Sequence, residues 1–384
     1  MAPESVAVAT FPAANPARPL LKGRGAVLAA FVASRLMVGG VILLSRLQVP
    51  PGPFWRRGGL LSVLSGGEPA SYLDDVQAGR WFDLGAGEPG DAFFPVFPVL
   101  LKLGALVFGD LALAGVVIAN SCLLGAGLLL HQLLRLEYED PRISRFAVVL
   151  LMFSPASYFF SCAVPDSTAL LLAVASLLAA AKGRWVVACL CGMLLCATIS
   201  LGYWIVVPLT LEFFRQSWNS GGGRWDRLLT RRTLLLVLVF APLVAAVAVG
   251  STRFDDSAAL LRVSGTSAEV LASLLKMSAY FEGYAWFYEL LFGGTLLAAE
   301  MLCMVGFVLK LRATYLAFAI VLTAACAWGG DLQAPRTLGL CFPLFTAMGL
   351  LSARFDWLYD ALLVCSMMLL ALCTIIAANG FWIG

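Results

Sequence analysis

A series of long apolar runs constrains this chain more than any other feature. Segments 233–249, 290–309 and 361–377 each approach the ~20 residues that an α-helix needs to cross the hydrocarbon core of a bilayer, and they carry few charges. Of 384 residues, 61% are hydrophobic and 13% are charged, which is far from the balance of a soluble globular domain. The sequence therefore predicts an all-α, polytopic transmembrane protein.

The apolar runs continue along the chain with no large polar block between them. We therefore expect a single multi-pass membrane domain at 25–384. Residues 1–24 are rich in Ala and Pro and are predicted to form a disordered cytoplasmic tail.

Basic residues predict the orientation, because short cytoplasmic loops hold an excess of Lys and Arg. Three basic residues at 18–24 precede the first predicted helix at 26–44, so the N-terminus is expected in the cytoplasm. The polar stretch 46–93 holds a series of carboxylates and is expected to form a long first outer loop. If segment 94–108 stays on the outer surface, the later basic clusters all fall inside. This choice predicts about eleven transmembrane helices, the second at 111–134.

The first outer loop carries carboxylates at helical spacing. Glu68 precedes Pro69, and proline is favoured in the first turn of a helix, so a helix is predicted to begin here. Tyr72, Asp75 and Gly79 then fall on the same face as Glu68. This face is either the solvated side of an amphipathic helix, with its acids favoured by the helix dipole, or a pair of carboxylates presented for chemistry.

Two charges fall inside apolar runs, where a charge is costly and hints at function. Arg35 lies near the middle of the first predicted helix, and Glu300 lies in a later run. Arg35 is expected to pair either with an anionic lipid phosphate or with a carboxylate. Glu300 is a candidate for that partner or for proton coupling.

The sequence lacks the residues that several kinds of site require. His131 is the single histidine and lies at the inner end of the second predicted helix, beside a basic loop, which excludes His-based triads and His-rich metal sites. The ten cysteines are scattered through apolar segments, and the nearest pair, Cys189 and Cys191, lacks metal-ligand spacing. No G-x-x-x-x-G-K phosphate loop occurs. We therefore expect no metal, no cofactor and no nucleic-acid partner.

Aromatic residues are concentrated at 280–288, at the end of a predicted outer loop. They include Tyr284 and Trp286. Such residues anchor a helix at the membrane interface or stack on a sugar ring, and both interpretations stay open.

Several motifs follow Arg35 in a fixed order. The outer loop contains E-P-A-S-Y at 68–72, then Gly79, then F-F-P-V-F-P at 93–98. Later motifs are P-A-S-Y-F-F at 155–160, V-P-D-S at 164–167, K-G-R-W at 182–185, P-R-T at 335–337 and F-P-L-F at 342–345. This series resembles the PIG-V-like family of mannosyltransferases, which includes GPI mannosyltransferase II and bacterial relatives and belongs to the GT-C class of membrane glycosyltransferases.

The chain departs from the family pattern at polar positions. Glu68 stands where the family has Asp, and Asp166 stands where it has Glu. The family's T-R-P-T-G turn reads T-I-S-L-G at 198–202, so its Arg and Pro are missing. A cation elsewhere in the chain is then needed to hold a donor phosphate.

The resemblance implies a GT-C-like fold whose long first outer loop contains amphipathic helices. Together with the carboxylate loop, it leads to the hypothesis that the chain transfers a sugar from a polyprenyl-phosphate donor to a lipid or glycan acceptor at the outer face, with inversion. Glu68 is expected to act as general base, with Asp75 or Asp166 orienting the acceptor or tuning Glu68. The candidate phosphate ligands are Arg35, Lys102 and Arg336, and the candidate substrate contacts are Tyr72, Phe94, Tyr284 and Trp286.

Two other functions stay open. Arg35, Glu300 and broken helices also suit a transporter or lipid flippase. The missing arginine in the turn at 198–202 suits a catalytically silent scaffold subunit of a membrane enzyme. The chain has no N-x-S/T sequon and is biased toward Ala, Leu and Gly, which favours a bacterial inner membrane.

Overall fold

The computed structural model describes residues 23–48, 59–79, 94–219, 236–239, 241, 285–329 and 334–380. Within these ranges the chain forms α-helices and short 3-10 turns and has no strand. The α-helices are α1 (Arg24–Gln48), α2 (Leu60–Leu64), α3 (Glu68–Ala78), α4 (Val96–Phe108), α5 (Leu111–Glu137), α6 (Pro141–Met152), α7 (Asp166–Ala181), α8 (Trp185–Cys196), α9 (Val206–Asn219), α10 (Ala285–Val308), α11 (Ala313–Gly329), α12 (Ala334–Gly339), α13 (Phe342–Arg354) and α14 (Asp356–Ala378).

Among the described helices, α1, α5 and α14 are long and apolar enough to cross a membrane, and α6 with the bent segment after it counts as a fourth if the pair is one span. The chain is therefore an integral membrane protein built from helices. The predicted total of eleven crossings stays a prediction. Most of the apolar run 233–249 lies outside the described residues.

Helices α4 and α5 form a hairpin. Gly109 ends α4 in the left-handed region at φ 74°, and the Asp110 carboxylate caps α5 by accepting a hydrogen bond from the Leu113 N–H at 2.6 Å. A Cβ on Gly104 would lie 3.0 Å from side-chain atoms of Ala114 and Ile118, so the two helices approach closely. Helix α4 therefore lies beside the first half of α5 only.

The centre of the bundle is formed by α5, α6 and α7, with α8 packed on α7, α13 on α6 and α14 on α1. Leucines such as Leu123, Leu130 and Leu150 are fully buried between these helices. The outer faces of α1, α4, α10 and α14 are apolar and exposed, with Leu36 and Leu106 among the most exposed residues. These faces suit contact with lipid rather than water.

The chain bends sharply after α6. Helix α6 ends at Met152, and the 3-10 turns Pro155–Ser157 and Phe159–Ser161 continue at an angle of 60° to it. Pro155 has no N–H to donate and disfavours helical backbone at the residue before it, which explains the position of the bend. We call residues 155–161 the break. After it, α7 begins at Asp166, directly following Pro165.

The opposite end of the bundle from Asp166 holds a buried ionic cluster centred on Glu212 of α9, which is 2% exposed. Arg312, in the turn between α10 and α11, forms ion pairs with Glu212 at 2.6 Å and with Glu137 at the end of α5. Burial lowers the pKa of Arg312, and the neighbouring Tyr315 opposes that shift. The Glu212 carboxylate accepts hydrogen bonds from Arg215, Gln216, Arg312 and Thr314. This Glu212 cluster ties α5, α9 and α11 together.

Candidate active site

A cleft of about 170 Å³ lies where α3, α4, the start of α7 and α12 meet. Its walls combine aromatic rings, hydroxyl groups and an ion pair. The lining residues are Tyr72, Phe94, Phe97, Pro98, Pro165, Asp166, Thr198, Ile199, Ser200, Leu201, Arg336, Thr337 and Leu340.

Asp166 and Arg336 form a two-pronged ion pair in this cleft. The Arg336 Nε donates to Asp166 Oδ1 at 3.0 Å, and Nη2 donates to Oδ2 at 2.7 Å. Asp166 is 4% exposed and Arg336 is 5% exposed. Each charge is therefore compensated by the other, in the planar geometry that a guanidinium and a carboxylate prefer.

Local structure holds both partners in place. Asp166 is in the first turn of α7, where the helix dipole favours a carboxylate. The next residue, Ser167, donates its hydroxyl to the Phe160 carbonyl of the break at 2.9 Å. The Arg336 guanidinium lies over the ring of Phe159, 5.4 Å from its centroid. The break therefore contacts Arg336 and the residue next to Asp166.

An aromatic wall closes the cleft on the side of α3 and α4. The ring of Tyr72 meets the ring of Phe97 edge-on, with centroids 6.4 Å apart and planes at 89°. Phe97 is buried together with Val76 and Leu101, and this small cluster holds α3 on α4. The wall therefore joins α3, in the predicted first outer loop at 46–93, to α4, which follows that loop.

The turn at 198–202 also lines the cleft. The chain enters a 3-10 helix at Ser200–Ile205, and the Ala197 carbonyl accepts a hydrogen bond from the Val96 N–H at 3.2 Å. A Cβ on Gly202 would lie only 2.5 Å from the Leu195 carbonyl oxygen, so glycine is required at this approach. The hydroxyls of Thr198 and Ser200 lie on residues that line the cleft.

Four of the residues predicted for the site line this one cleft: Asp166, Arg336, Tyr72 and Phe94. Glu68 begins α3 one helical turn before Tyr72, and Asp75 follows Tyr72 in the same helix. The side chains of Glu68 and Asp75 lie outside the described residues, so their predicted roles stay predictions.

Other predicted site residues lie elsewhere. Lys102 is exposed on α4 and does not line the cleft. Tyr284 lies outside the described residues, and of Trp286 only the place in α10 is described.

Arg35 also lies away from the cleft lining. Its guanidinium donates to oxygens of Ser157 and Ser161 in the break. Glu300 is exposed on α10, and no carboxylate of the described chain lies within ion-pair distance of Arg35. The alternative that Arg35 pairs with Glu300 is therefore wrong, because packing directs Arg35 toward the break instead.

The sequence did not single out several residues of the cleft and the bundle. Phe97 and Pro98 belong to the F-F-P-V-F-P motif, and Thr337 directly follows Arg336, so their place in motifs was the available signal. Glu212 carried no such signal. Its importance comes from partners as far away along the chain as Arg312, which only the fold brings to it.

No protein-family model and no characterised protein matches the sequence. Among solved structures, the chain is similar to the crystal structure of the Archaeoglobus fulgidus oligosaccharyltransferase in complex with zinc and sulfate, with a TM-score of 0.47 and 14% identity. The alignment covers 91% of this chain and 52% of that chain, so this chain spans about half the length of that protein.

Proposed function

We propose that this protein is a GT-C-type membrane glycosyltransferase, similar to the PIG-V-like mannosyltransferases, that uses a polyprenyl-phosphate sugar donor. The observation that carries the proposal is the buried Asp166–Arg336 pair in a cleft that is also lined by aromatic, hydroxyl-bearing and aliphatic residues. A lipid-linked donor needs apolar helices around its tail, a cation for its phosphate and rings or hydroxyls for its sugar. The apolar helices and the cleft offer all three side by side.

In the proposed reaction, the acceptor hydroxyl attacks the anomeric carbon of the donor sugar. The bond between that carbon and the phosphate oxygen breaks, and the configuration inverts. Glu68 takes the proton of the hydroxyl as general base. The place of Glu68 in α3 supports this role, because residues four apart share a helix face and Tyr72 of that face lines the cleft.

Arg336 stabilises the leaving phosphate by charge-assisted hydrogen bonds, for which its planar guanidinium is suited. Asp166 holds Arg336 toward the cleft and, with Asp75, is the candidate to orient the acceptor. The phosphate is already a good leaving group, so this reaction needs no metal ion and no cofactor. The acceptor is a lipid or a glycan.

The turn at 198–202 supports a role for Arg336 in particular. Ile199 occupies the position at which the PIG-V-like pattern has Arg, and Ile199 lines the cleft. The cleft therefore lacks that arginine, and Arg336, which belongs to a separate motif of the series, is the cation among its lining residues. In the proposed topology of about eleven crossings, with a cytoplasmic N-terminus, the cleft opens on the outer side of a bacterial inner membrane.

The direct test is transfer from a labelled polyprenyl-phosphate sugar to extracted membrane acceptors, with the purified protein in nanodiscs. We expect transfer, and we expect Glu68→Gln to reduce kcat at least about 100-fold, the usual contribution of a general base. Glu68→Asp keeps the carboxylate and serves as the matched variant. Full activity of Glu68→Gln would remove Glu68 as the base, and no transfer from any such donor would reject the function.

Lipid translocation is a second candidate, favoured by the 60° bend after α6 and by Arg35 beside it. Lipid flux in proteoliposomes that Glu300→Gln abolishes, without glycosyl transfer, would support it. A silent scaffold subunit is the third candidate, favoured by Ile199 in place of an arginine. Co-purification with an active membrane glycosyltransferase, while this chain alone transfers nothing, would support that role.

A further inference from the structure

Within the described residues, the Arg35 guanidinium donates to oxygens on its own helix, at the end of α6 and in the break. Its Nη1 donates to the Ser157 carbonyl at 3.1 Å and to the Ser161 hydroxyl, and its Nη2 donates to the Ser157 hydroxyl and to the Met152 carbonyl at 3.5 Å. Its Nε donates to the Ser34 hydroxyl at 3.3 Å. The guanidinium therefore spans the end of α6 and both 3-10 turns of the break.

The break needs such donors. Where a helix is interrupted inside an apolar bundle, backbone carbonyls lose their helical partners, and no water is at hand to replace them. Pro155 contributes no N–H to the Met152 carbonyl three residues before it, and Arg35 donates to that carbonyl instead. Arg35 also donates to the Ser157 carbonyl, which accepts a second hydrogen bond from the Ser161 hydroxyl at 3.3 Å. Asn120 of α5 adds one more, to the Ser161 carbonyl at 3.4 Å. A guanidinium has five N–H donors in one plane, which a lysine cannot reproduce.

The break in turn touches the ion pair of the cleft. Phe159 lies under the Arg336 guanidinium, and the Phe160 carbonyl accepts from Ser167, the residue after Asp166. Gly339, at the end of α12, lies so close to Ala156 that a Cβ on Gly339 would overlap it. A shift of the break would therefore move the Phe159 ring, against which the Arg336 guanidinium packs.

We infer that Arg35 is a positioning residue, which fixes the break and through it sets the place of Arg336 in the cleft. This assignment differs from a direct contact between Arg35 and the donor phosphate. The expected effect of Arg35 on enzyme kinetics rests on the proposed function, whereas its expected effect on the structure of the break does not. Arg35→Lys keeps the positive charge and removes most of the N–H donors. It therefore separates positioning of the break from a direct charge contact with the phosphate.

The structural test is hydrogen–deuterium exchange of the whole protein in nanodiscs. We expect Arg35→Lys, and Ser157→Ala with Ser161→Ala, to speed exchange at least about tenfold across the break and α12, because several hydrogen bonds to a charged group are lost. Helix α9 should not change, and Arg142→Lys, on the surface, is the matched control. Unchanged exchange in the break would overturn the inference, whether or not the protein transfers sugar.

The kinetic test is a cycle with Arg336→Lys, measured as the KM for the labelled polyprenyl-phosphate sugar. We expect Arg35→Lys to raise this KM about tenfold. In the double variant, the KM should be no higher than in Arg336→Lys alone, because Arg35 acts through Arg336. The inference would be overturned if the KM increases of Arg35→Lys and Arg336→Lys multiply in the double variant while Ser157→Ala with Ser161→Ala keeps the wild-type KM. That result would favour a direct contact between Arg35 and the donor phosphate.

Discussion

Arg336 and Asp166 are 170 positions apart in the sequence and form a buried pair with two hydrogen bonds, at 3.0 and 2.7 Å. Neither side chain is more than 6% exposed. A buried pair of this kind is expensive to split, since the remaining charge has no water around it. The pair therefore allows stability and function to be tested separately.

Asp166→Asn should lower the free energy of unfolding by about 3 kcal/mol, because it leaves the Arg336 charge without its carboxylate. Replacing both residues, Asp166→Leu with Arg336→Met, should return stability to within about 1 kcal/mol of the wild type, since no buried charge remains. Thermal unfolding in detergent micelles measures both effects. Sugar transfer should be absent from the double variant, and a double variant less stable than Asp166→Asn would contradict this account.

Gly202→Ala should destabilise the turn at 198–202 by about 2 kcal/mol, as overpacking does. The added Cβ would meet the Leu195 carbonyl oxygen at 2.5 Å and displace a wall of the cleft. Gly40→Ala is the matched control, because a Cβ on Gly40 of α1 has nothing within 4 Å. In a helix interior that control should be neutral or stabilising by about 0.5 kcal/mol. Equal loss of stability in the two variants would refute the close approach at Gly202.

Glu212→Gln should cost about 3 kcal/mol of stability, because Glu212 is 2% exposed and neutralising it leaves Arg312 with reduced compensation. Asp356→Asn is the comparison. Asp356 also pairs with an arginine, Arg142 at 3.2 Å, but its side chain is 82% exposed, so the change should stay within about 0.5 kcal/mol. Chemical unfolding of the two variants measures the loss in free energy of unfolding for each. Equal losses would contradict the idea that burial makes the Glu212 pair more important for stability.

Tyr72→Ala should raise the KM for one of the two substrates about fivefold, because a ring contact in the cleft is worth about 1 kcal/mol. Tyr72→Phe keeps the edge-on contact with Phe97 and should behave like the wild type. Steady-state transfer assays in nanodiscs measure both. A loss in Tyr72→Phe equal to that in Tyr72→Ala would assign the effect to the hydroxyl rather than to the ring.

Local features of the fold were readable from the sequence. The helix predicted to start at Glu68 is present as Glu68–Ala78, and the helices predicted at 26–44 and 111–134 are present as α1 and α5, each a few residues longer. Proline near a helix start and apolar periodicity act within a few residues of the chain. For this reason the sequence alone identified these elements.

The motifs also contain residues that the fold brings into one cleft. Asp166, Arg336, Tyr72 and Phe94 were each predicted from their motifs, and all four line the cleft. Their direct contacts were not predictable. Which cation meets which carboxylate depends on how helices far apart in the chain pack, and no local pattern contains that information.

Arg35 shows the same division most clearly. The sequence determined that a guanidinium lies in the middle of an apolar helix, and that such a charge needs a partner. Only the tertiary structure decided that the partner is the interrupted backbone after α6 and not Glu300. The physical reason is that amino-acid order fixes where a charge sits along a helix, whereas the packing of α1 against α6 and the break fixes what that charge can reach.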